Sequence, residues 1–286
     1  MSELDAPTSY KDLLHRAINQ LGESSDTPRV DCELLLQKVV GHPLAWLIAH
    51  TDDIATAQHV SKFAGLIEQR RSGQPVAYLL GQRDFWSLTL KVNPHVLIPR
   101  SDTETIVEQA LDYLDANIPY RVLDLGTGSG AIALAIAKER PRIKVLAVDS
   151  QPEILVMAKH NAKLNQLYNI EFLKSNWFDD LDQTAFDLIV SNPPYIAEGD
   201  PHLEQGDLRF EPKHALISGA DGLDDIRIIV ETAPYYLSKH GHLIIEHGYD
   251  QHVAVEHLLG SAGFEHLVMT RDLNNLPRCT AGQWSA

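Results

Sequence analysis

Val122-Leu-Asp-Leu-Gly-Thr-Gly-Ser-Gly130, running straight into Ala131-Ile-Ala-Leu-Ala-Ile-Ala137, decides the fold. A short apolar strand, a turn of alternating glycines and a run of helix formers make a nucleotide cradle. Glycine permits positive φ and close approach of a ligand to the backbone, and the helix start offers unpaired N–H groups. The spacing is G-x-G-x-G, not the G-x-G-x-x-G of dinucleotide binders, whose third glycine packs the helix close to the sheet beneath a pyrophosphate. A second strand, residues 144–148, ends at Asp149, nineteen residues past Gly130. An acid there holds both ribose hydroxyls of an adenosine, and it serves NAD and S-adenosylmethionine (SAM) equally well.

The choice between those cofactors falls to Phe186-Asp-Leu-Ile-Val-Ser-Asn-Pro-Pro-Tyr-Ile196, an apolar strand that runs into Asn192-Pro193-Pro194-Tyr195. A strand that merely ends at a Pro-Pro turn looks the same, because proline cannot continue a ladder and restricts the residue before it. The chemical alternative is a grip on a planar nitrogen, whose lone pair is delocalised into a neighbouring π system and must be drawn out before it can attack. The Asn192 side-chain oxygen and the Pro193 carbonyl are each able to accept one N–H. Tyr195 then offers a flat ring for stacking while its hydroxyl stays wet. Hydride transfer needs no such grip, whereas methyl transfer from SAM to nitrogen does. In open α/β sheets ligands sit beyond the carboxyl ends of the strands, so Gly126, Asp149 and Asn192 are expected to share one crevice.

The organisation follows outward from these motifs. Residues 1–85 read as a helical bundle: Leu13, Leu14, Ala17, Ile18 and Leu21 form one stripe over residues 10–21, residues 31–40 repeat the pattern before Gly41, and residues 59–71 follow Thr56 as a cap. Alternation of Leu88, Leu90, Val92, Val96 and Ile98 predicts a β-hairpin linker over residues 86–98. Residues 99–286 then alternate strand and helix into a seven-stranded, mostly parallel, doubly wound α/β sheet whose last strand is antiparallel. Asp102 reads as a helix N-cap with Glu104 in the first turn, and Arg100 beside it is a candidate substrate-binding residue.

The chain resembles the HemK/PrmC family of glutamine-N5 methyltransferases, which modify the Gly-Gly-Gln loop of class I peptide chain release factors. The resemblance rests on the glycine loop and Asn192 to Tyr195, and also on Pro75-Val-Ala-Tyr-Leu-Leu-Gly81 with Phe85 and Trp86. Further matches are Leu97-Ile-Pro-Arg-Ser-Asp-Thr-Glu104, Asn176-Trp177-Phe178 and Ala215-Leu-Ile-Ser-Gly-Ala-Asp-Gly222. It implies the class I SAM-dependent methyltransferase fold with an N-terminal helical domain that recognises the protein substrate. Gly126, Thr127, Gly128, Ser129 and Gly130 would surround the methionine part of SAM, with Asp149 at the ribose and Trp177 beside the adenine. Asn192, Pro193, Pro194 and Tyr195 would grip the glutamine, with S-adenosyl-L-homocysteine as the second product. Two departures stand out: Ser101 replaces a second proline, and Asn275 replaces the glycine of an Asp-Leu-x-Gly-x-x-Arg segment. Asparagine is the non-glycine residue best suited to the left-handed region, so a tight turn over residues 272–278 is still expected.

Composition narrows the partners. The net charge of −15 disfavours a nucleic acid substrate, which relies on clustered Lys and Arg; Lys62, Arg70, Arg71 and Arg83 are the thin candidate patch, and a solvated helix face explains them more simply. Cys32 and Cys279 lie outside any C-x-x-C pattern and read as buried free thiols. His240, His242 and His247 lack partners at a ligand spacing, so no metal is expected. No run approaches the roughly 18 apolar residues of a membrane span, and the acidic start at residues 1–5 is unlike a signal peptide; a cytoplasmic protein with no membrane partner is expected. A release factor is the favoured substrate, with a ribosomal protein glutamine or the N6 of adenine in nucleic acid as alternatives. A SAM-sensing module without catalysis and an NAD-dependent oxidoreductase are weaker rivals.

Overall fold

The computed structural model describes residues 8–22 and 24–285, so the acidic start at residues 1–5 lies outside the described residues. The chain forms two compact units, one of Met1–Gly81 with Glu204–Phe210, the other of Gln82–Leu203 with Glu211–Ala286.

In the first unit, helices α1 (Tyr10–Leu21), α2 (Pro28–Val40), α3 (Leu44–Ala49), α4 (Ala57–Arg71) and α5 (Val76–Leu80) enclose one core that includes Leu13, Leu21, Leu35, Leu36, Phe63 and Ile67. The Ser9 hydroxyl caps α1 by accepting from the Asp12 N–H at 3.1 Å, and the Thr56 hydroxyl caps α4 by accepting from His59 at 3.1 Å. Arg70 donates to the buried Asp31 at 2.7 Å and also lies 3.4 Å from Asp207, while Arg71 pairs with Glu68 at 2.8 Å. Two of the four cations of the sequence patch are therefore neutralised within this unit.

The second unit begins earlier than expected. Its hairpin is β1 (Gln82–Phe85) paired antiparallel with β2 (Leu88–Lys91), and residues 92–100 are irregular. Gln82, Arg83 and Asp84 are exposed, so the first strand carries no apolar alternation. The alternation of Val92, Val96 and Ile98 instead reflects burial of an irregular segment. The buried Asn161 ties this hairpin down, exchanging hydrogen bonds with both backbone groups of Lys91 and donating to the Ser129 carbonyl at 2.8 Å.

The main sheet contains β3 (Arg121–Leu125), β4 (Lys144–Asp149), β5 (Ile170–Lys174), β6 (Phe186–Ser191), β7 (Leu237–Glu246), β8 (Phe264–Arg271) and β9 (Pro277–Trp284), in the order β5-β4-β3-β6-β7-β9-β8. All neighbours are parallel except β9, which runs against both β7 and β8. Helices α6 (Glu104–Tyr113), α7 (Ala131–Glu139) and α8 (Pro152–Leu164) contribute to the core that contains Val122 and Val145, while α9 (Asp224–Thr232) and α10 (His252–Ser261) contribute to the one that contains Leu123 and Leu125. Alternate side chains of β3 thus enter different cores, as the period of two demands. Strand order reverses between β3 and β6, which opens a crevice beyond their carboxyl ends.

Candidate active site

A cavity of about 250 Å³ occupies that crevice. Gly126 to Ser129 reach it from the end of β3, Asp149 from the end of β4, Trp177 from beyond β5, and Asn192 and Pro194 from the end of β6. Arg100 lines it as well. Gly130 forms the entry to α7 with φ 87° and does not line it. The three predicted anchors, Gly126, Asp149 and Asn192, share one space.

Gly126 adopts φ +69°, and a Cβ there would stand 3.2 Å from Cζ3 of Trp177. The indole therefore lies over bare backbone, which only glycine allows. Trp177 itself takes φ 49°, a costly conformation for a bulky residue. Two bonds hold it: the Ser175 hydroxyl donates to its carbonyl at 2.9 Å, and its Nε1–H donates to Asp225 at 3.2 Å. Asp225 is fixed in turn by the Ser218 hydroxyl at 2.7 Å.

Asp149 accepts from the N–H groups of Gly128 and Gln151, each at 3.1 Å. Burial raises its pKa, and these backbone donors oppose the rise. Below it the Thr127 hydroxyl donates to Asp124 at 2.6 Å, and the second oxygen of Asp124 has no partner among the described residues. Burial pushes Asp124 up to about 7.

Asn192 donates through Nδ2 to the Thr103 hydroxyl at 3.2 Å, which leaves its Oδ1 as the free acceptor. Pro193 is buried and, like Tyr195, does not line the cavity. The Tyr195 hydroxyl, expected in water, instead donates to Glu246 at 3.2 Å, and burial pushes its pKa upward. Its ring packs against the core that contains Leu123, so a purely wet-edged platform is not what this residue supplies. The Tyr195 carbonyl accepts from Gln251 Nε2 at 3.0 Å. Gly222 (φ +75°) has no room for a Cβ beside that carbonyl.

Arg100 pairs with the buried Glu211, which also accepts from the Ile98 N–H at 3.1 Å. Asp102 makes no cap. It lies 3.6 Å from Arg278, because residues 101–103 form a short 3-10 turn ahead of α6 and carry Asp102 toward β9. Residues 272–278 keep the tight turn: Asn275 takes φ 62°, Asp272 accepts from the N–H groups of Asn274 and Leu276, and Arg278 donates to Asp272 at 3.0 Å.

Residues 105–207 match the family model of the methyltransferase small domain, and residues 12–81 match that of the PrmC N-terminal domain. The release factor glutamine methyltransferase of Xylella fastidiosa is 51% identical over 255 residues, 89% of this chain and 93% of that one. Its namesake in Escherichia coli is 44% identical over 275 residues, 96% and 99% of the two chains. The chain belongs to the release factor glutamine methyltransferases. A solved methyltransferase from Pyrococcus furiosus shares the fold with a TM-score of 0.53 at 16% identity, over 79% of this chain and 100% of that one.

Several residues around the site of this methyltransferase escape a reading by motif. Asp225, Ser218, Thr103, Glu246, Gln251 and Asn161 all brace motif residues from far along the chain. Only Thr103 and Ser218 fall within segments that the family resemblance marked.

Proposed function

We propose that this release factor glutamine methyltransferase transfers a methyl group to the N5 side-chain nitrogen of the glutamine in the Gly-Gly-Gln loop of class I release factors. SAM is the donor, S-adenosyl-L-homocysteine the second product, no metal takes part, and the reaction occurs in the cytoplasm. The observation that carries this is the polarity of Asn192: its NH₂ is taken by Thr103, so an acceptor oxygen remains at the wall of a cavity that also holds Asp149 and the glycine loop.

The residues present fit the donor. Asp149 keeps lone pairs for two ribose hydroxyls after accepting two backbone N–H groups. Trp177, packed on the bare backbone of Gly126, lines the cavity and offers its indole to a base, and the N–H groups at the start of α7 favour a carboxylate. When bound, SAM supplies an electrophilic methyl group on a sulfonium. Asn192 Oδ1 accepts one N–H of the substrate amide and draws its lone pair forward, and the Pro193 carbonyl, set back from the cavity wall, takes the second once the amide is seated. No hydrogen bond among the described residues occupies the Pro193 carbonyl. Pro194 closes the wall, Tyr195 fixes the exit of the loop, and Arg100 orders the rim. The methylated nitrogen is strongly acidic and loses its proton to water without a dedicated base. Positioning of this kind is worth roughly 7 to 11 kcal/mol of barrier. The helical unit of the first 81 residues serves to recognise the body of the factor.

The test is transfer of labelled methyl from SAM to a purified release factor, beside a factor with Gln→Ala in its Gly-Gly-Gln loop, a large-subunit ribosomal protein and adenine-containing DNA. Label on the intact factor alone is expected. Label on a ribosomal protein or on DNA instead would reassign the substrate.

A further inference from the structure

Trp177 is held from outside the motifs that define the site. It follows β5 with φ 49°, lines the cavity, and packs on the backbone of Gly126. Its Nε1–H donates to Asp225 Oδ1 at 3.2 Å. Asp225 stands in the first turn of α9 and lines the same cavity. Its backbone N–H donates to the Ser218 hydroxyl at 2.8 Å, and that hydroxyl donates back to Asp225 Oδ2 at 2.7 Å. We propose that Asp225, braced by Ser218, is a positioning residue that fixes the Trp177 indole as the wall against which the base of the cofactor stacks.

The inference rests on the assignment of Trp177 to the base. A tryptophan in the left-handed region has no local reason to stay there, because its Cβ crowds the following carbonyl. The Ser175 hydroxyl, donating to the Trp177 carbonyl at 2.9 Å, holds the backbone but does nothing for the two side-chain torsions that aim the ring. Asp225 removes that freedom by taking the single polar atom of the indole. Only an acceptor serves there, since the indole nitrogen is a donor and nothing else. The bond is made at the edge of the ring, so it sets the plane of the indole without covering the π face that a planar base needs.

The brace is rooted in ordered backbone. Ser218 is 2% exposed and belongs to a short parallel bridge with the residue after Tyr195. Ile196 donates its N–H to the Leu216 carbonyl at 2.8 Å, and Ser218 donates its N–H to the Ile196 carbonyl at 3.0 Å. Both oxygens of Asp225 are engaged, one by Trp177 and the other by Ser218, so the carboxylate cannot turn without losing a bond. The path from indole to carboxylate to hydroxyl to backbone consists of hydrogen bonds of 2.7 to 3.2 Å. It ends on the segment that carries Asn192 to Tyr195 away from the site.

The experiment pairs SAM binding with a spectrum of the free enzyme. In Asp225→Ala the Kd for SAM should rise about tenfold, the loss of one hydrogen bond to a carboxylate, while kcat on a release factor at saturating SAM stays within a few-fold of wild type. Asp225→Asn keeps an acceptor and should restore most of the affinity. In a Trp177→Phe background, which has no N–H to tether, Asp225→Ala should cost no further affinity; a role confined to α9 would cost the same in both backgrounds. In ¹⁵N spectra without SAM, one of the four indole N–H signals, identified by its loss in Trp177→Phe, should shift and exchange faster with water in Asp225→Ala, and return in Asp225→Asn. A wild-type Kd in Asp225→Ala, an equal loss in both backgrounds, or an indole signal indifferent to Asp225 would overturn the proposal. Failure of the reading it rests on looks different: Trp177→Ala would bind SAM as the wild type does while the indole signal still answered to Asp225, and the proposal would fall with that reading.

Discussion

Under the proposed reading Asn192 grips the substrate nitrogen and Asp149 the ribose, and single substitutions should separate the two. Asn192→Ala should lower turnover by at least about 100-fold, the scale of one preorganised polar group at a reacting centre, while calorimetry shows SAM affinity preserved. Asp149→Ala should do the reverse first, weakening SAM about tenfold or more through two lost hydroxyl partners. A variant at Asn192 that keeps full turnover would remove the grip from the mechanism. Both residues were legible in the sequence because each lies a fixed few residues from a strand end, where motif spacing encodes geometry. Thr103 and Glu246 were not, since they meet their partners across 89 and 51 residues of chain. Trp177 was legible as a candidate, but its left-handed backbone and its bond to Asp225, 48 residues on, were not.

Elements were legible in proportion to their apolar period. The strands of the main sheet and the long helices α1, α2 and α4 announced themselves by runs and stripes, and the antiparallel last strand arrived where expected. Helices α3 and α5, of six and five residues, are too short to show a period, and β1 exposes three of its four side chains. The β8–β9 turn is the element whose strength is easiest to test. Arg278 is its clamp, giving two hydrogen bonds to Asp272 at 3.0 and 3.1 Å. Arg278→Met should destabilise the protein by about 2 kcal/mol, the worth of hydrogen bonds to a charged group, seen as a lower urea midpoint. Arg278→Lys, a point charge without the fork, should recover only part of it.

For the molecule as a whole, two buried acids set a pH trend. Asp124 and Glu246 both hold their protons up to about 7, far above the range of the unfolded chain. Between about 4 and 7 the folded state binds more protons, so their contribution is full below that window and is lost as pH rises through it. His242 and His247, depressed by burial, work in the opposite sense below 6.5. Comparison with Glu246→Gln isolates the acid: its unfolding free energy should decline less from pH 4.5 to 7 than that of the wild type, and equal slopes would refute the assignment. The excursion of residues 204–210 has a different kind of consequence. The polypeptide passes between the two units three times, at 81/82, 203/204 and 210/211. One cut after Gly81 therefore does not separate the helical unit, because residues 204–210, which belong to it, remain joined at both ends to the second unit. A nicked protein should migrate as a single species until a denaturant is added, and a gene truncated at residue 82 would carry seven residues stripped of their native surroundings.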